Sequence, residues 1–230
     1  GAIIITRGET INTGIQEAVT RLATKIVYEL EEKWLNSLTI QVRFLSKSLE
    51  THILGNHLFA NAKALIFSGL FFAGKEAESW YQVGKNLVEK EIPEQVLEDG
   101  GNFELSTMYH QIFLEDLLDI INIHQAFSRK LPVGAEKHTS MMMQWLEWMT
   151  HPDGEISFFN DAALGVAPSV REIKNYLGRI SGFSGLTNIS TDDCLTANSR
   201  KIDPHVKNFL IDLPASGYSR VVMGDAVALI

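Results

Sequence analysis

A chain of 230 residues is long enough for one large domain, or for one domain and part of another. Its 45% hydrophobic and 21% charged content is that of a globular protein, which excludes collagen, a coiled-coil rod and a disordered chain. The formal net charge of −8 disfavours nucleic acid as a partner, yet leaves room for an anionic sugar held by a local cluster of Arg, His and Asn.

Helical periodicity dominates the first two-thirds. From Ile11 to Leu35 the apolar residues Ile15, Ala18, Val19, Leu22, Ile26, Leu30 and Trp34 recur at the three- and four-residue spacing of one buried helix face. A second helix is expected over Ser37 to Ile53 and a third after Gly55, through Leu58, Ala62, Leu65, Ile66 and Leu70. The apolar run at Ala64 to Ala73, broken by Ser68 and Gly69, is too short to span a bilayer. A fourth helix, Lys75 to Leu97, contains Pro93, which should kink or restart it. Asp99-Gly100-Gly101 is a break. Further helices follow over Ser106 to His124 and Glu136 to Met149, then a tight turn at His151-Pro152-Asp153-Gly154, then a helix opened by Ala167-Pro168-Ser169 and running to Ile180. At helical spacing Trp34, Trp80, Trp145 and Trp148 read as core residues, with sugar-stacking platforms as the alternative.

Ser181 to Arg200 is rich in Gly, Ser, Thr and Asn and reads as a loop. It holds the one cysteine, Cys194, which can form no internal disulfide. Period-two alternation then sets in. Tyr218 to Met223, Gly224-Asp225 and Ala226 to Ile230 read as two strands around a two-residue hairpin turn. An isolated hairpin is marginal in water, so a β-rich domain is expected to begin here. The N-terminus runs from Gly1 into Ile3-Ile4-Ile5 without the order of a signal peptide, so the compartment stays open.

Three polar clusters interrupt the apolar pattern: Gly55-Asn56-His57, Asp99 to His110, and His151 to Asp161. The segments that carry them, GNHLFANAKALIFSGLFF, EQVLEDGGNFELSTMYHQIFLEDLLDIINI and HPDGEISFFNDAALGVAPS, resemble the helical N-terminal domain of heparinase II/III-like polysaccharide lyases, relatives of heparinase and alginate lyases; SGYSRVV resembles the start of that family's β-sandwich. The resemblance covers Gln41 to the C-terminus, apart from Ser181 to Ile211. It implies a mainly α fold: an incomplete α/α-toroid of antiparallel helix pairs over residues 1–212, and the first strands of a C-terminal β-sandwich over 213–230.

The same resemblance implies β-elimination on a uronic-acid polysaccharide by a bacterial protein of the periplasm or cytoplasm. The proton beside a sugar carboxylate is a poor acid, so the carboxylate must be neutralised and the developing enolate held by fixed donors. A base takes the proton and an acid protonates the leaving oxygen. The resemblance assigns Asn56 and His57 to the carboxylate, with His57 as a candidate base, and makes Tyr109 the catalytic tyrosine. Plainer roles stand beside these: Asn56 as a helix cap, His57 as a core histidine, Tyr109 as a core aromatic. Adjacent helical residues share a groove only at a helix end. Arg43, Glu104, His110 and Asn160 are candidate substrate contacts; their plainer roles are a surface arginine, a cap, a support behind Tyr109 and a turn residue.

Family members often carry His and Arg-Ser-Pro where this chain has Asn102 and Leu105-Ser106-Thr107, so cationic charge near Tyr109 is reduced. The family also draws groove residues, including a His-containing motif, from its β-sandwich, so residues 1–230 alone are expected to be inactive or very weak. No metal ligands and no cofactor are expected here; where family members hold a metal, its ligands come mainly from the β-domain. Two other functions stay open: a glycan-binding protein of surface-polysaccharide metabolism without full chemistry, and a glycoside hydrolase using two of Asp99, Glu104, Asp153 and Asp161. The oligomeric state is not legible.

Overall fold

The computed structural model describes residues 13–53, 55–180, 199–203 and 208–230. Cys194 and most of the expected loop after Ser181 lie outside them. The chain divides into two compact units, Gly1–Ser48 and Leu49–Ile230.

The first unit contains α1 (Thr13–Leu45). It corrects the expectation of two helices parting near Asn36. Neither Gly nor Pro interrupts that stretch, and the polar side chains there bond along the helix: Thr39 Oγ1 donates to the Leu35 carbonyl and Gln41 Nε2 to Ser37 Oγ. Within the periodic stripe Leu22, Ile26, Leu30 and Trp34 are exposed, not buried. Trp34 is therefore not a core tryptophan, whereas Trp80 and Trp145 are.

In the second unit α2 (Asn56–Phe71) and α3 (Lys75–Gln95) form an antiparallel hairpin. Two glycines let the backbones approach. A Cβ on Gly84 would lie 2.6 Å from the Ala62 carbonyl oxygen, and one on Gly69 2.5 Å from the Tyr81 nitrogen. Pro93 sits in the last turn of α3, which ends two residues later at Gln95, short of the expected Leu97. The next pair is α4 (Thr107–Ala126) and α5 (Ala135–Trp148). The core between the pairs holds Phe59 against Phe113, with Leu114, Leu117, Ile121 and Met142 wholly buried. Ser169 and Glu172 form a capping box at the head of α6 (Val170–Leu177), close to the expected start.

The C-terminal part is an antiparallel sheet, β1 (Ser199–Asp203), β2 (Asn208–Leu213), β3 (Tyr218–Met223) and β4 (Ala226–Leu229), paired in that order. The β3–β4 hairpin turns at Gly224-Asp225 as the alternation predicts. Ser199 and Arg200 are strand rather than loop, since pairing with Ile211 and Leu210 supplies the order that their own composition does not. The sheet docks on the helices through Ile211 and Leu213 against Trp145 and Met149. Polar ties reinforce this: Arg220 donates to the carbonyls of Trp148 and Thr150, and Asp99 Oδ2 accepts from both the backbone and the hydroxyl of Ser216.

Candidate active site

The first turn of α2 carries Asn56 and His57. Gly55 occupies the cap position with no side-chain cap, so Asn56 is the first helical residue and not a capping one. Asn56 is half-buried and His57 exposed, and both lie at the helix end, where adjacent residues can face one surface. Behind His57 stands Glu50, whose Oε2 lies 3.9 Å from His57 Nδ1. Asn61, itself buried, fixes Glu50 twice: its Oδ1 accepts from the Glu50 N–H and its Nδ2 donates to Oε2, each at 3.0 Å.

The loop between α3 and α4 approaches this turn. Gly55 has φ +86°, a region that favours glycine, and the Glu104 carboxylate fills the space a Cβ on Gly55 would need, with the Phe103 ring beside it. Glu104 therefore belongs to the same surface as Asn56. It does not cap the following helix, because Ser106 does so by accepting from the Tyr109 N–H. Tyr109, in the first turn of α4, is half-buried with its ring packed against the core.

The loop is braced from below. Leu105 has φ +57°, and its carbonyl accepts from Asn160 Nδ2 at 2.8 Å and from the Tyr218 hydroxyl at 2.7 Å. Burial pushes the Tyr218 hydroxyl above its ordinary value, so it stays protonated and donating. Asn160, with φ +52°, is both a turn residue and a brace. Asn102 is buried and holds the loop by accepting from the Glu104 N–H.

His110 is placed differently from a substrate contact. It is wholly buried and stacks on Trp145. Its Nδ1 accepts from the Asn102 N–H, so Nε2 carries the proton and donates to the Met142 carbonyl at 2.9 Å. Burial lowers its pKa to about 4. Arg43 is an exposed residue in the last turn of α1, in the other unit.

The hydrolase carboxylates fare poorly. Both Asp99 oxygens accept bonds from Gly101 and Ser216, and Asp153 accepts from the Glu155 N–H within its own turn. The described residues contain no group of three or more His, Cys, Asp or Glu that could hold a metal ion, and no helix long and apolar enough to cross a membrane. Tyr218 escapes sequence reasoning as a brace: alternation marks it as a strand residue but not which loop its hydroxyl reaches.

The Heparinase II/III N-terminus family model matches residues 22–185. A heparin-sulfate lyase of Bacteroides stercoris is 32% identical over 125 residues, 53% of this chain and 18% of that protein. One of Pedobacter heparinus is 30% identical over 139 residues, 56% and 20% respectively. The chain thus spans about a fifth of the length of these relatives. A crystal structure of heparinase III overlays 64% of this chain and 23% of its own, with a TM-score of 0.57 at 24% identity. The heparan sulfate lyase HepC of Pedobacter heparinus overlays 85% of this chain and 35% of its own, with a TM-score of 0.59 at 19% identity. These likenesses establish the fold as the helix pairs of an α-toroid followed by an antiparallel sheet.

Proposed function

Because this chain belongs to the heparinase II/III family, we propose that it forms the helical wall of a polysaccharide lyase that cleaves a uronic-acid-containing polymer by β-elimination. The observation that carries the proposal is the packing of Gly55 under Glu104 and Phe103, which joins the Asn56-His57 turn to the loop leading to Tyr109. The named activity of the relatives, heparin-sulfate lyase, supports an acidic polysaccharide as substrate.

In this mechanism the Asn56 amide donates to the uronate carboxylate, aided by the positive end of α2. His57, backed by the Glu50 carboxylate, accepts the proton beside the uronate carboxylate. Tyr109 transfers the proton at the leaving glycosidic oxygen. Glu104 and Asn160 shape the surface between them, and His110, neutral and buried, supports Tyr109 from within. The division into a helical domain over 1–212 and a β-sandwich from 213 onward is part of the same proposal.

A second reading, a glycan-binding protein without full chemistry, is favoured by one feature: residues 102–107 include no Lys, Arg or His. Tyr109→Phe in the full-length gene product separates the two. For a lyase, the appearance of unsaturated uronic products on heparan-type or alginate polymers, followed by ultraviolet absorbance, should fall by about 100-fold or more while polymer binding persists. Activity retained in that variant would remove Tyr109 from the mechanism.

A further inference from the structure

We infer that Gln95 is a positioning residue that holds the Asn56-His57 turn in register with the loop that leads to Tyr109, an inference that rests on the lyase reading above. Gln95 ends α3 and is 1% exposed. Its side-chain Nε2 donates to the Gly55 carbonyl at 3.2 Å and to Glu91 Oε2 at 2.9 Å. Its backbone carbonyl accepts from the Phe103 N–H at 2.9 Å. One residue therefore grips both strands of chain that make the candidate site: Gly55, immediately before Asn56, and Phe103, immediately before Glu104.

The amide's orientation is forced. A carbonyl only accepts, so the NH2 edge must face Gly55. The consequence is that Gln95 Oε1 is buried with no partner among the described residues. Such an oxygen gives up its water without a replacement, a cost that a Leu or Met filling the same space would avoid. Glu91, 2% exposed and one turn back, holds the amide in place and is itself approached by Lys90 Nζ at 3.5 Å. A polar pair buried at this expense makes sense if the position of the Gly55 carbonyl matters. Gly55 is clamped from two sides, by Gln95 on its carbonyl and by Glu104 against its α-carbon. Asn56 inherits whatever direction that clamp sets.

The test uses Gln95→Met, which keeps the volume and removes both polar atoms, and the double variant Glu91→Met with Gln95→Met. In the second, both partners become apolar, so the core is expected to stay folded while the Gly55 carbonyl loses its donor. In the full-length gene product, kcat on heparan-type polymer should fall by about 10- to 100-fold with KM little changed, because a displaced Asn56 weakens the transition state rather than overall binding. In the same variants, amide exchange in a peptide spanning residues 55–60 should rise by about tenfold while the α4 core is unmoved. If kcat and exchange both stay within about twofold of the parent, the inference is overturned. It is likewise overturned if the double variant unfolds, since Gln95 would then be a core requirement and not a positioning group. A parent that cleaves no uronate polymer defeats the lyase reading instead, and exchange at 55–60 then decides the role of Gln95 alone.

Discussion

At the scale of single residues, His110 shows how a chemically suggestive side chain can be consumed by the fold. It follows Tyr109 and sits in the motif, yet both ring nitrogens are bonded in the interior. Its folded pKa of about 4 against an ordinary 6.5 has a definite consequence for stability. Between those pH values the unfolded chain binds a proton that the folded chain refuses. The stability associated with His110 is therefore complete above pH 6.5 and is lost as pH falls towards 4, by on the order of 3 kcal/mol. Burial lowers the pKa of His124 as well and so acts in the same direction. Urea unfolding of the parent and of His110→Gln at pH 7 and pH 4.5 checks this: the parent should lose more stability on acidification than the variant, and equal losses would refute it. Asn56 is the opposite case. Its residue type suggested a cap, but Gly55 takes the cap, leaving the amide free of that duty.

At the scale of elements, the α2–α3 hairpin depends on the missing side chains of Gly69 and Gly84. A methyl at Gly84 would press on both the Ala62 carbonyl and the Ile66 nitrogen, 3.0 Å away, and rigid backbone yields poorly. Gly84→Ala should therefore destabilise by about 1–3 kcal/mol despite its better helix propensity. The expected signature is a lower denaturation midpoint with an unchanged slope. An unchanged or higher midpoint would show that the helices part easily. Helix positions were legible from periodicity, since α2, α4, α5 and α6 all fall within a residue or a few of their expected bounds. α1 runs unbroken through Asn36 and Ser37 because these residues carry only weak helix-breaking tendency.

At the scale of the whole second unit, Asp99 couples the sheet to the helices. It accepts from Gly101 in its own loop and twice from Ser216 at the β2–β3 turn, while Trp145 Nε1 donates to the same Ser216 hydroxyl. Asp99→Ala should cost roughly 1.5–3 kcal/mol and loosen the docking of β2 and β3. Faster amide exchange in residues 208–223, with α2 and α3 unaffected, is the measurement; unchanged exchange there would mean that the apolar contacts and the Arg220 hydrogen bonds hold the sheet without Asp99. Because Tyr218 also reaches Leu105, such loosening should extend to the loop before Tyr109.

The sequence by itself determined the helical character of most of the chain, the β3–β4 hairpin and the three polar clusters, because periodicity, turn chemistry and motif order are local properties. It did not determine which of those clusters meet. That Glu104 lies against Gly55, that Gln95 bonds to both arms of the site and that Tyr218 braces Leu105 depend on backbone approach across dozens of residues. The same holds for burial: the stripe of Leu22, Ile26, Leu30 and Trp34 on α1 and the ring of His110 carry clear local patterns, yet one is exposed and the other enclosed. Only packing sets which surfaces lose water, so the candidate site from Asn56 to Tyr109 became a connected surface only in the tertiary structure.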